Sequence, residues 1–182
     1  MRKLLERIVS TIDAISYWSG YISMFLIVIF AAFMFIEVIF RYGFNSPTIW
    51  ATEATGLAFG VYMLLCSGYV LLIRGHVSMD AIYNLLSLRK RAILDVLTAG
   101  LFFLFIGILL WKGIPGAIRA VVLGEHSQTI WGAPEWPVKI AIPLGAFLIL
   151  LQGIAKLIRD FHLAVTGRKL GEEVAAQTVK YG

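Results

Sequence analysis

EVIFRYGFNSPTIWATEATGLAFGVYMLLCSGYVLLIR, running from Glu37 to Arg74, decides the fold. Two long apolar runs meet here across a short break at Pro47. Glu37 and Arg41 close the first run, Trp50 marks an interface, and Glu53 opens the second run. Glu37 and Arg41 are four residues apart, so on a helix they share one face. An ionisable group inside a bilayer costs about 2.5–3.5 kcal/mol on insertion scales, and a chain keeps it only where something offsets that cost. The stretch therefore reads as two membrane-crossing helices joined by a tight outer turn, with its charges arranged as a set.

The rest of the composition agrees. Of 182 residues, 59% are hydrophobic and only 15% charged, against about 25% in a soluble domain. Mean hydropathy is +0.84. The length predicts one domain, and the fold class expected is an all-α membrane protein with four transmembrane helices and short interfacial amphipathic helices. A net charge of +5 would suggest nucleic acid in a soluble protein. Here the basic residues lie in loops and tails, which is membrane topology, and no nucleic-acid partner is expected. Cys66 is the single cysteine, so it packs as a small hydrophobe. The basic N-terminus MRKLLERIV precedes an apolar run from Tyr17 to Phe40. That run exceeds the about 7–15 residues of a signal core and has no cleavage site, so it reads as an uncleaved first span.

Residues 1–14 alternate Leu4, Leu5, Ile8 and Ile12 with charges and predict a short interfacial helix. Spans follow at about 15–42, 52–73, 92–114 and 136–157, each long enough to cross a ~30 Å hydrocarbon core. Gly56-x-x-x-Gly60 has the form of a close-approach face. Residues 74–91 carry Met79, Ile82, Tyr83 and Leu86 at helical spacing and read as a second surface helix. Pro115 kinks the end of the third span, and residues 161–182 form a polar cytoplasmic tail. Twelve basic residues, among them Arg2, Lys3, Arg7, Arg74, Arg89, Lys90 and Arg91, fall on one side. Only Arg41, Lys112, Arg119 and Lys139 fall on the other. That bias puts both termini in the cytoplasm.

Candidate chemistry is sparse. His76, His126 and His162 lie at span ends or in loops, whereas a haem-holding bundle needs axial histidines in its core. No cysteine pair serves thiol chemistry, and no catalytic dyad sits at mid-depth. No enzyme activity, cofactor or metal is expected. Glu37 and Arg41 read as a structural ion pair, with Glu53 reaching the same arginine from the facing helix. Trp50, Trp131 and Trp136 read as an outer aromatic belt, and Lys112 as a snorkelling residue. The interior is nearly bare of polar groups, so the chain is not expected to move a polar solute alone.

Glu37-x-x-x-Arg41-Tyr42, Phe44, Pro47 and Trp50-x-x-Glu53, followed by Arg74-Gly75-His76-Val77-x-Met79-Asp80 and Pro143-Leu144-Gly145, resemble the small membrane subunit of TRAP (tripartite ATP-independent periplasmic) transporters. The resemblance covers about residues 15–160. The family often has two glutamates after the tryptophan; here Thr52 precedes Glu53. The resemblance implies a bacterial inner-membrane protein paired with a large elevator-type membrane subunit that holds the substrate and sodium sites. It implies a periplasmic binding protein delivering an organic acid, typically a carboxylate. This chain would be a static scaffold. Its outer loops would help dock the binding protein through Asn45, Glu125, Gln128, Trp131 and Glu135. Two other classes remain open at this point: a membrane anchor or assembly subunit of a redox complex, and a free-standing small transporter.

Overall fold

The computed structural model describes residues 2–73 and 88–166. Four helices account for nearly all of them: α1 (Arg2–Val38), α2 (Ala51–Leu72), α3 (Leu88–Val122) and α4 (Trp136–Thr166). All four are long and apolar enough to cross a membrane. The described residues hold no strand; an isolated bridge joins His126 to Pro134.

The break expected near Ile15 is absent. Residues 2–14 continue directly into the first span, so α1 is one helix. No glycine or proline interrupts it before Ser19, and Val9 and Ile12 pack with Leu5 against Ala155, Leu151 and Ile158 of α4. α1 ends in a widened turn at Ile39–Gly43. The third helix runs through Pro115 to Val122, and the fourth runs on to Thr166. The amphipathic segment expected at 74–91 lies outside the described residues up to 87, as does the tail from 167.

α2 and α4 pack against each other at the centre; α1 lies on α2, and α3 lies on α4. Close approach at the centre depends on two glycines. A Cβ on Gly145 would stand 2.5 Å from the Leu64 carbonyl oxygen, and one on Gly68 would stand 3.1 Å from Leu148 Cβ. With no lipid-excluding hydrophobic force between helices, such small residues let the backbones gain van der Waals contact. Flanking contacts follow the same rule, with Gly20 under the Tyr69 ring and Gly153 under Phe102. The expected Gly56-x-x-x-Gly60 face does not form within this chain. Gly56 has nothing within 4 Å of its Cβ position, and Gly60 meets only Val138 Cγ1 at 3.6 Å. Gly56 instead lines an open apolar groove between α1 and α2 with Phe30, Met34, Val38 and Phe59.

Burial is inverted relative to a water-soluble bundle. The buried apolar residues are mainly alanines, including Ala51, Ala92, Ala120, Ala141 and Ala155. Phe25, Val28, Phe35, Leu97, Leu101 and Trp111 face outward. A surface of that kind needs an apolar surrounding. Inside, Ser16 Oγ donates to Gln152 Oε1 (2.9 Å), Gln152 Nε2 donates to Asp13 Oδ1 (3.1 Å), and Arg159 pairs with Asp13. This polar chain, fully buried at Ser16 and Gln152, ties α1 to α4.

Candidate functional site

The charges expected to act as one set divide into two, both near the α1–α2 turn. The first centres on Glu37, whose residue is 4% exposed. Its Oε1 accepts from Arg41 Nε at 3.0 Å and from Arg41 Nη2. Its Oε2 accepts from the Thr48 N–H at 3.0 Å and from the Thr48 hydroxyl. Four donors thus meet one carboxylate, which is how a buried charge becomes tolerable. Arg41 is half exposed at 49%, so its guanidinium reaches outward while its inner edge holds Glu37. Thr48 Oγ1 also accepts from the Ala51 N–H at 3.3 Å, helping to satisfy the start of α2. The intervening loop turns at Asn45, a non-glycine residue with φ of 50°, and at Pro47.

Glu53 does not join this pair. Its carboxylate accepts from the hydroxyls of Ser127 and Thr129 in the α3–α4 loop. The first turn of α2 points Glu53 toward that loop, while Thr48 takes the place at Glu37 that a second helix was expected to fill. The α3–α4 loop is ordered by its own backbone: Ser127 N–H donates to Ala133 O (2.8 Å), and Glu135 N–H donates to Glu125 O (3.0 Å). Gly124 and Gly132 turn it with φ of 57° and 65°, in the left-handed region where a side chain is strained. The tryptophans draw the two loops together. Trp131 lies 6.5 Å from Trp50, and Trp50 meets Phe33 edge-on at 5.7 Å. Trp136 is partly exposed at the start of α4.

The acids of this loop have internal partners. Lys139 pairs with Glu125 and, at 2.8 Å, with Glu135. Arg119 lies 3.6 Å from Glu125. The hydrogen bond from Lys139, outweighing partial burial and aided by the charges of Lys139 and Arg119, holds the Glu125 carboxyl below the usual carboxylate range. Asn45, Gln128 and Trp131 are exposed on the same end. Sequence reasoning missed Thr48, Ser127, Thr129 and Lys139 as partners. Only Thr48 carried a signal: a cap-type residue just before an acid-opened helix.

At the other end, Lys156 bridges Asp95 (3.0 Å) and Asp160 (2.8 Å). His126 lies in the α3–α4 loop and His162 near the end of α4; His76 is outside the described residues. Among the described residues no three His, Cys, Asp or Glu side chains gather to hold a metal. The α1–α2 groove, of about 630 Å³, is walled by apolar side chains and two threonines. The geometry orders the α1–α2 and α3–α4 loops at one end of the bundle.

The family described as "Tripartite ATP-independent periplasmic transporters, DctQ component" matches this chain over residues 30–163. The chain belongs to that family. DctQ proteins are the small membrane component of TRAP transporters, and this chain is a transporter component, not an enzyme. The matched region takes in Glu37, Arg41, Glu53, the α3–α4 loop and most of α4, so the cluster at this end lies wholly inside it. Comparisons with curated proteins and with solved structures gave no significant match.

Proposed function

We propose that this chain is the static small subunit of a sodium-driven TRAP-type transporter for an organic acid anion, such as a carboxylate. It sits in the bacterial inner membrane with both termini cytoplasmic, as the basic-residue bias favours. It widens the fixed part of a large elevator-type subunit, which carries the substrate and sodium sites. Its outer end, with Asn45, Glu125, Gln128, Trp131 and Glu135, forms part of the docking surface for a periplasmic binding protein.

The observation that carries this reading is the family match over residues 30–163. The geometry supports the division of labour. The polar side chains at the outer end are spent on holding two loops in place. A mobile carrier needs a solute site that changes access, and the α1–α2 groove offers apolar walls instead. Glu37, Arg41 and Thr48 serve structure: they fix the α1–α2 turn. Glu53 fixes the α3–α4 loop beside it. A docking surface built from loops gains affinity when those loops are pre-ordered, because less freedom is lost on binding.

Affinity purification of the tagged chain, co-expressed with a large TRAP subunit from its own operon, tests the assignment. The expected result is a stable complex of the two chains with no visible-range haem absorption. A purified chain that instead carries haem, or that associates with a redox complex, contradicts it.

A further inference from the structure

We propose that Ile130, at the tip of the α3–α4 loop, is the apolar anchor for the periplasmic binding protein and seats in an apolar pocket of that protein. The proposal rests on the small-subunit reading above and names the side chain at the centre of its docking surface.

The α3–α4 loop is a hairpin with a charged base and an apolar tip. At the base, Lys139 of α4 pairs with Glu125 and Glu135. The backbone bonds from Glu135 to Glu125 and from Ser127 to Ala133 run along its length. The tip is the turn Thr129-Ile130-Trp131-Gly132, closed by the Gly132 N–H donating to Thr129 O at 3.1 Å. Three of its four residues are engaged. The Thr129 hydroxyl donates to Glu53 of α2. Trp131 lies beside Trp50, which in turn meets Phe33 of α1. Gly132 closes the turn with a φ of 65°. Ile130 is the fourth, and it is 91% exposed, the highest value of any large apolar side chain among the described residues. At that exposure it adds little to packing within the chain, and a turn centre accepts most residue types.

A single exposed isoleucine is ordinary, but Ile130 has company. Trp131 beside it is 39% exposed, and Ile49, which precedes Trp50 on the α1–α2 loop, is 64% exposed. Asn45 and Gln128, exposed and uncharged, belong to the same two loops. The acids Glu125 and Glu135 are engaged by Lys139 instead. An apolar centre with an aromatic, an uncharged polar rim and few free charges is the anatomy of a protein interface. The placement of the hairpin selects the partner. It rises from α3 and α4, is fastened to α2 by Glu53, and reaches α1 through Trp131, Trp50 and Phe33. It therefore crosses the ends of four helices, not their lipid-facing sides. A membrane subunit packs on the sides, whereas a soluble protein meets the end. The tip is also held before any partner arrives, so little freedom is lost on binding.

The test uses the purified pair of this chain and its large subunit in nanodiscs, with the purified binding protein of the same transporter. Ile130→Ser should weaken binding by about tenfold or more, and Ile130→Leu by less than about twofold. Both variants should keep the wild-type Tm, because the side chain is exposed. A photo-crosslinking residue at position 130 should capture the binding protein. Wild-type affinity in Ile130→Ser overturns the anchor. So does a Tm that falls along with the affinity, which would place Ile130 in the fold. Capture of the large subunit or of lipid alone from position 130 overturns it as well, provided the wild-type pair still binds the binding protein. A wild-type chain that never assembles with the large subunit overturns the small-subunit reading and the anchor with it. An assembled pair that ignores the binding protein overturns the docking role alone.

Discussion

Replacing Gly145 by alanine adds one methyl group where two helix backbones meet. The added Cβ would lie 2.5 Å from the Leu64 carbonyl oxygen and 2.9 Å from its carbon. Favourable contacts between heavy atoms begin near 3.5 Å, so α2 and α4 must separate by about 1 Å. The obstacle is backbone, which cannot rotate aside as a side chain can. Overpacking costs about 1–3 kcal/mol, and a backbone obstacle at this distance puts the site in the upper part of that range, about 2–3 kcal/mol. Alanine's better helix propensity returns about 1 kcal/mol. The net loss expected is therefore about 1–2 kcal/mol, or about 2–8 °C in Tm for a chain of this size. Gly56→Ala is the matched control. It gains the same propensity but meets nothing within 4 Å, so its Tm should hold or rise. Thermal unfolding of the purified chain in detergent, followed by tryptophan fluorescence, reads both. A Gly145→Ala protein at or above the wild-type Tm would refute the close crossing of α2 and α4.

Three further outcomes follow from the loop end that holds Glu37, Glu53 and Glu125. Arg41→Ala leaves the Glu37 carboxylate with Thr48 alone, so the yield of assembled complex by size-exclusion chromatography should fall more than uptake per complex, and Arg41→Lys should recover part of it by restoring charge without the fork. Assembly at the wild-type level with no uptake would place Arg41 in the transport path instead. Glu53→Ala removes both hydroxyl acceptors of the α3–α4 loop and should speed proteolytic cleavage within 125–135 several-fold; unchanged cleavage would show that the latch is dispensable. Because the Glu125 carboxyl is held below its ordinary range, its contribution is complete above the unfolded-chain value near 4.3 and disappears as pH falls through the lower folded value. Glu125→Gln should therefore flatten the acid side of the Tm–pH profile, and an unaltered profile would remove Glu125 from the stabilising pairs.

The helices were readable because apolar runs of membrane length dominate the chain. Pro47 and the turn formers at 124–135 separate them without ambiguity. Glu37 with Arg41 was readable because an i,i+4 pair is a local feature of one helix. The partner of Glu53 was not, because Ser127 and Thr129 are more than seventy residues away and their hydroxyls are ordinary loop residues in sequence. A still longer separation hid the polar chain from Ser16 through Gln152 and Asp13 to Arg159. Spacing suggested a contact at Gly56 and Gly60, yet the working glycines are Gly68 and Gly145. A small residue permits close approach, but which helix face turns inward is decided by the whole arrangement. The continuity of α1 past residue 14 has a similar origin. Alternating charges suggested a surface helix, while Val9 and Ile12 found a partner in Ala155.

The proposal that this chain is the non-transporting member of a tripartite system meets its most direct test in reconstitution. Proteoliposomes are prepared with this chain alone, with the large subunit alone, and with both, each supplied with the binding protein, labelled organic acid and an inward sodium gradient. Uptake is expected only when both membrane chains are present, and only with the binding protein and the gradient. Sodium-driven uptake by this chain alone, or full uptake by the large subunit without it, would contradict the account.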